Sequence, residues 1–197
     1  MSLSNEMNRF YNTWLANADS YKGTTVNDYY NKAYSLFTLY NRLYGEATFT
    51  LAREGHITLQ DNRPFPDSKG AKQYAPQFIG YDELLQILTE NVECNNSISS
   101  LITLIENGTF YIKLSMPHGK RQLHKDQVLL KELKSNGAKT KVSAILDLIY
   151  SVRCNMVHGN KGFDPIQVQL LNPVTIILRK IIETLFEKLR NHPNMNP

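Results

Sequence analysis

Apolar side chains recur at three- and four-residue intervals along most of this chain, a period that admits helices and little else. Met7, Phe10, Tyr11, Trp14, Leu15 and Ala18 make the first stripe, with Ser4 placed to cap it. A longer stripe opens near Thr24 or Thr25 and runs through Val26, Tyr29, Tyr30, Ala33, Phe37, Tyr40, Leu43, Tyr44, Ala47 and Leu51. Shorter helices are expected around 84–92, led by Asp82, around 98–105, stopped by Asn107-Gly108, and around 128–133, stopped by Ser135-Asn136-Gly137. Val142, Ile145, Leu146, Ile149, Val152 and Met156 mark one face of a helix over about 140–159. Val174, Ile177, Leu178, Ile181, Ile182, Leu185, Phe186 and Leu189 mark a last helix over about 173–190, with Pro173 in its first turn. Two stretches depart from the period. Gly55, Pro64, Pro66, Gly70 and Pro76 make 54–79 an irregular excursion, with 56–59 as a small element inside it. Residues 109–114 alternate, which makes them a candidate strand or hairpin. The expectation is an all-α helical bundle occupying 1–197 as a single domain.

Several function classes drop out early. The apolar runs, such as 174–178, fall far short of the roughly 20 residues of a membrane span. The N-terminus lacks a basic segment followed by an apolar one, so no secretory signal is expected. Cys94 and Cys154 are the only cysteines, which points away from a disulfide scaffold or a cysteine zinc site and toward a reducing cytoplasm. Neither GxxxxGK[ST], GxGxxG nor HExxH occurs.

Charge is unevenly spread. Residues 81–108 carry five carboxylates and no Lys or Arg. Residues 109–141 carry Lys113, Lys120, Arg121, Lys125, Lys131, Lys134, Lys139 and Lys141 against Asp126 and Glu132, a net of +6, within a chain of net +4. Such a block fits a polyanion partner or, equally, a solvated lysine-rich surface. His118 and His124 lie in it without a carboxylate or cysteine partner at ligand spacing, so no metal site is expected.

The chemistry concentrates in Tyr150-Ser151-Val152-Arg153-Cys154-Asn155-Met156-Val157-His158-Gly159-Asn160-Lys161-Gly162. At about 100° per residue, Arg153 and His158 stand roughly 140° apart around a helix, whereas Asn155 and His158 share a face. Arg153 offers a permanent planar charge for phosphate oxygens, and His158 titrates near neutrality. Plainer roles exist: Arg153 paired with Asp147 or Asp164, and His158 at the helix C-terminus against the dipole. Cys154, beside Arg153, has its thiolate favoured by that charge, but a half-buried helix thiol is the expected reading. The tyrosines at 29, 30, 34, 40 and 44 are read as packing rather than as a base-stacking platform.

This segment resembles the motif helix of the HEPN superfamily, in prokaryotic members reading Tyr-x-x-Arg-x-Asn-hydrophobic-hydrophobic-His-Gly. The likeness covers about 140–190. It implies an HEPN-like helical bundle, a homodimer formed through the motif helix, and a metal-independent endoribonuclease of single-stranded RNA in a toxin–antitoxin or defence setting. Arg153 and His158 then map onto catalytic positions, with Asn155 assisting by orienting a partner or holding the phosphate. Lys161, Lys120, Arg121, Lys125 and Tyr150 are the expected RNA contacts, and no cofactor is implied. An antitoxin or a nucleotidyltransferase is a compatible partner, although Asn160 stands where the transfer-linked His-x-Tyr variant has tyrosine. The alternative is a non-catalytic HEPN module that binds nucleotide, RNA or a partner protein.

Overall fold

The computed structural model describes residues 5–60, 63–115, 118–157 and 164–193. Helix α1 (Asn5–Ser20) packs on α2 (Val26–Arg53), and α2 lies against the C-terminal helix α9 (Gln167–Arg190) as the central pair of the bundle. Around this pair stand α5 (Tyr81–Glu90), α6 (Val92–Glu106), α7 (Leu123–Leu133) and α8 (Ala138–Val157). The all-α bundle read from the periodicity is the fold observed. Among the described residues no helix is long and apolar enough to cross a membrane.

The start of α2 follows directly from its sequence. Thr25 caps it: the Asp28 N–H donates to Thr25 Oγ1 at 3.2 Å, and the Asp28 carboxylate accepts from the Thr24 and Thr25 N–H groups at 3.0 and 3.2 Å. Its inner face then buries Leu36, Leu39, Leu43 and Ala47 completely, at helical spacing. They meet Val174, Ile177, Leu178, Ile181 and Leu185 of α9, equally closed to solvent. Each large side chain so buried contributes about 1.5–3 kcal/mol relative to exposure. Asn91 separates α5 from α6 and caps the latter, accepting from the Cys94 N–H at 2.9 Å.

Three expectations are corrected. First, the irregular excursion ends at 66. From there α3 (Asp67–Lys69), a π-helical turn (Gly70–Tyr74) and α4 (Ala75–Ile79) run end to end as one helix. The wider turn carries the chain up to Pro76, which has no N–H to give; the Ala75 N–H reaches back to Gly70 O instead. Gly70 is there for contact: a Cβ on it would meet the Tyr44 ring at 2.9 Å. Tyr40 fixes the same turn by donating to Ala71 O at 2.6 Å.

Second, 109–114 forms no ladder. Among the described residues it makes one bridge, Leu114 to Arg121, where Ser115 N–H donates to Lys120 O at 2.7 Å and Gln122 N–H to Lys113 O at 2.9 Å. Side chains satisfy this extended backbone instead. Asp126 on α7 accepts from the Ile112 and Lys113 N–H groups at 3.1 and 2.9 Å, and Asn155 on α8 donates to Ile112 O at 3.0 Å.

Third, α9 begins at Gln167, six residues before the expected start, and runs through Pro173. An interior proline costs about 3 kcal/mol, and here its ring is buried among the apolar residues of the stripe. The expected cap Ser4 lies outside the described residues, as does the end of the motif helix beyond Val157.

Candidate functional site

Helix α8 presents two very different polar surfaces. On one, Tyr150 and Arg153, three residues apart, point toward Asp67 at the start of α3. The Asp67 carboxylate accepts from the Tyr150 hydroxyl at 2.8 Å, from Arg153 Nη1 at 3.0 Å and from the Tyr44 hydroxyl. Burial alone raises the Asp67 pKa, but three donors outweigh it and hold the carboxyl below its ordinary range. Burial and the neighbouring Asp67 push the Tyr150 phenol up to about 12. Arg153 loses hydration here, and the Asp67 carboxylate more than compensates, so its guanidinium is held charged. The sequence offered Asp147 or Asp164 as its partner; the structure gives it Asp67.

Next to this lies a second cluster, one turn earlier on α8. Asp147 accepts from Lys72 Nζ at 3.0 Å and from Lys113 Nζ, and Lys113 also donates to Ser151 Oγ at 2.8 Å. Asp147 is more buried than Asp67, yet its two lysines again keep its pKa below the usual carboxylate value. Tyr150 links the clusters: its ring lies 5.5 Å from Lys72 Nζ and 5.4 Å from the Arg153 guanidinium carbon.

Asp147, Tyr150, Ser151, Lys72 and Lys113 help to wall a cleft of about 510 Å³ between α7, α8 and residues 112–114. Ile112, Leu114 and Leu129 give it apolar lining, and Lys72, Lys113 and Lys125 share its walls with Asp147 and Glu132. Cys154 faces it as well. Burial raises the Cys154 thiol, and the opposing pull of Arg153 does not cancel that, so the thiolate is disfavoured.

The expected site residues therefore separate. Arg153 and Tyr150 come together, and Lys125 lies on the adjoining cleft wall. Asn155 lines the cleft too, from a different side of α8. Two residues beyond Arg153 is about 200° around the helix, and the side chain is turned inward, 8% exposed, with its amide donating to Ile112 O. It positions the 110–114 backbone at the edge of the cleft. Arg121 lies over the Tyr111 ring at 3.8 Å, and Lys120 is exposed. His158 and Lys161 lie outside the described residues.

Sequence reasoning missed Asp67 and Lys72, both within the stretch read as irregular. No local signal ties either residue to α8, whose partner residues follow 75 to 86 positions later. The resulting arrangement is a guanidinium held by the Asp67 carboxylate over the Tyr150 ring, next to a cleft lined by three lysines and two carboxylates. It can present the remaining donors of Arg153 to an anion without first ordering the side chain. The chain matches no family model, no curated protein and no solved structure.

Proposed function

We propose that this protein is a metal-independent endoribonuclease of HEPN type, acting on single-stranded RNA as a homodimer in a toxin–antitoxin or defence setting. One observation carries the reading: Arg153, the first residue of the Arg-x4-His motif, stands near the end of α8 in an all-helical bundle and is held by Asp67 next to a cleft lined by Lys72, Lys113 and Lys125. The 2′-oxygen of the substrate attacks the adjacent phosphorus while its proton passes to His158. The 5′-oxygen leaves and takes up a proton, giving a 2′,3′-cyclic phosphate and a 5′-hydroxyl. Arg153 meets the charge that develops on the phosphoryl oxygens. Two-fold pairing of α8 supplies a second Arg153 and a second His158 to the same phosphate, which overcomes their angular separation on one helix. Lys125 and the other lysines of the cleft attract the strand.

A second reading is favoured by the ion pair itself. Arg153 is already matched by Asp67, as expected of a non-catalytic module that binds nucleotide, RNA or a partner protein. Incubation with several single-stranded RNAs in EDTA separates the two. Cleavage that leaves cyclic phosphate ends, and that Arg153→Ala and His158→Ala each remove from folded protein, supports the nuclease. Salt-sensitive RNA binding with no cleavage by wild type supports the binding module.

A further inference from the structure

A second concavity, a groove of about 550 Å³, lies between Phe49 near the end of α2 and residues 58–60, 63–66, 69 and 74. Phe49 and Phe65 form its wall, 49% and 37% exposed, with ring centroids 5.6 Å apart and planes tilted by 46°. One exposed phenylalanine is ordinary on a protein surface. Two whose rings meet in a concavity, flanked by exposed cations, are a composite feature. Arg63 and Lys69 are those cations, and among the described residues neither has a carboxylate partner and no carboxylate lines the groove. The groove also connects to the motif helix. Tyr44 stacks on Phe65 at 6.3 Å and 16°, and its hydroxyl donates to the Asp67 carboxylate that holds Arg153.

We propose that this groove is a base-stacking subsite for single-stranded RNA, in which Phe49 and Phe65 receive an unstacked base while Arg63 and Lys69 meet the flanking phosphates. The proposal rests on the reading of the protein as one that acts on RNA. Aromatic faces take any base, and cations at the edge track the backbone, so the subsite adds affinity with little sequence preference. A second copy of the chain is a poor occupant. A two-fold contact at this patch sets Arg63 and Lys69 against their own symmetry mates.

The test measures binding of the full chain to a six-nucleotide oligoadenylate carrying 2′-fluoro groups, which cannot be cleaved, and to an abasic strand of the same length. Phe49→Ala, a surface change, is expected to weaken binding of the base-bearing strand roughly tenfold and to leave the abasic strand unaffected. Lys69→Glu is expected to weaken both strands and to flatten the salt dependence. Unchanged binding by Phe49→Ala, or equal losses on both strands, overturns the subsite. So does a shift in oligomeric state on Phe49→Ala, which identifies the groove as a protein interface. If wild type still cleaves RNA in EDTA in those cases, only the groove is lost. If wild type neither binds either strand nor cleaves, the ribonuclease reading falls with it.

Discussion

Helices α8 and α9 have similar apolar stripes and unlike polar faces. Polar side chains of α9 pair at separate points of the surface: Arg179 with Glu183 at 3.0 Å and with Asp19 of α1, Arg190 with Glu187, and Lys188 with Glu83 of α5 at 2.7 Å. Those of α8 converge on one region. Asp147, Tyr150, Ser151, Arg153 and Asn155 bond to residues 34 to 86 positions away, at Lys113, Lys72, Asp67 and Ile112. One helix holds the bundle together through its buried face. The other uses its polar face to gather the 67–72 and 112–113 segments around one cleft.

The comparison breaks most easily at the buried end. Leu178→Ala on α9 opens a cavity at a fully buried position and is expected to cost about 3–4 kcal/mol in urea unfolding. RNA cleavage per folded molecule should be unchanged. A loss of activity in the folded fraction would show that α9 does more than support the bundle.

A smaller effect is expected from Asn155→Ala on α8. Removing the donor leaves Ile112 O without the bond it now receives, a loss of about 1–3 kcal/mol. It should also speed amide exchange at Ile112 and Lys113, whose N–H groups are held by Asp126. If cleavage falls by orders of magnitude while exchange at these amides is unchanged, Asn155 acts on substrate and not on the 110–114 backbone.

Acid sharpens the contrast further. Asp67 and Asp147 both titrate below their ordinary value, because the donors around them favour the carboxylate more than burial disfavours it. Groups depressed in this way add stability above the unfolded value of about 3.9, and that increment is lost as pH falls through the lower folded value. Wild type should therefore lose stability from about pH 4 downward, and the Asp67→Asn, Asp147→Asn double variant should show a shallower slope in the same window. Equal slopes in denaturation at stepped pH would show that neither carboxylate is linked to folding. The smallest effect is expected on α9: Glu183→Gln removes a partly exposed pair and should change stability by less than about 0.5 kcal/mol.

Much of this contrast was legible beforehand, and unequally so. The stripes of α2, α8 and α9 lie at helical spacing in the sequence, so those helices and their inward faces follow from the period alone. Pro173 misplaced one boundary because proline favours a first turn, and the burial that lets it sit inside α9 is a tertiary fact. Helix 67–79 was hidden by Pro66, Gly70 and Pro76, which punctuate loops in most settings and here accompany a π turn packed on Tyr44. At the site, Arg153 and Tyr150 could be named from their motif. Asp67 could not, since the hydrogen bonds that define its role span 86 and 83 residues. Asn155 could be named from the motif as well, but its bond to the Ile112 carbonyl, 43 positions away, had no local signal.

The π turn at Gly70–Tyr74 has a consequence for how this site can change over generations. A π turn amounts to one residue more than a regular helix needs over the same path. Deleting any one residue from 71–74 lets the backbone close into ordinary α-helix, with every remaining side chain chemically intact. The surplus residue is absorbed inside the turn, so Asp67 keeps its phase relative to Ala75–Ile79 and its carboxylate stays turned toward Arg153. The pairing at the motif helix is thus insulated from a change of count within 71–74. Lineages can lose one residue there and keep the alignment, whereas a residue gained or lost in the regular turn at 68–69 rotates the carboxylate by about 100°.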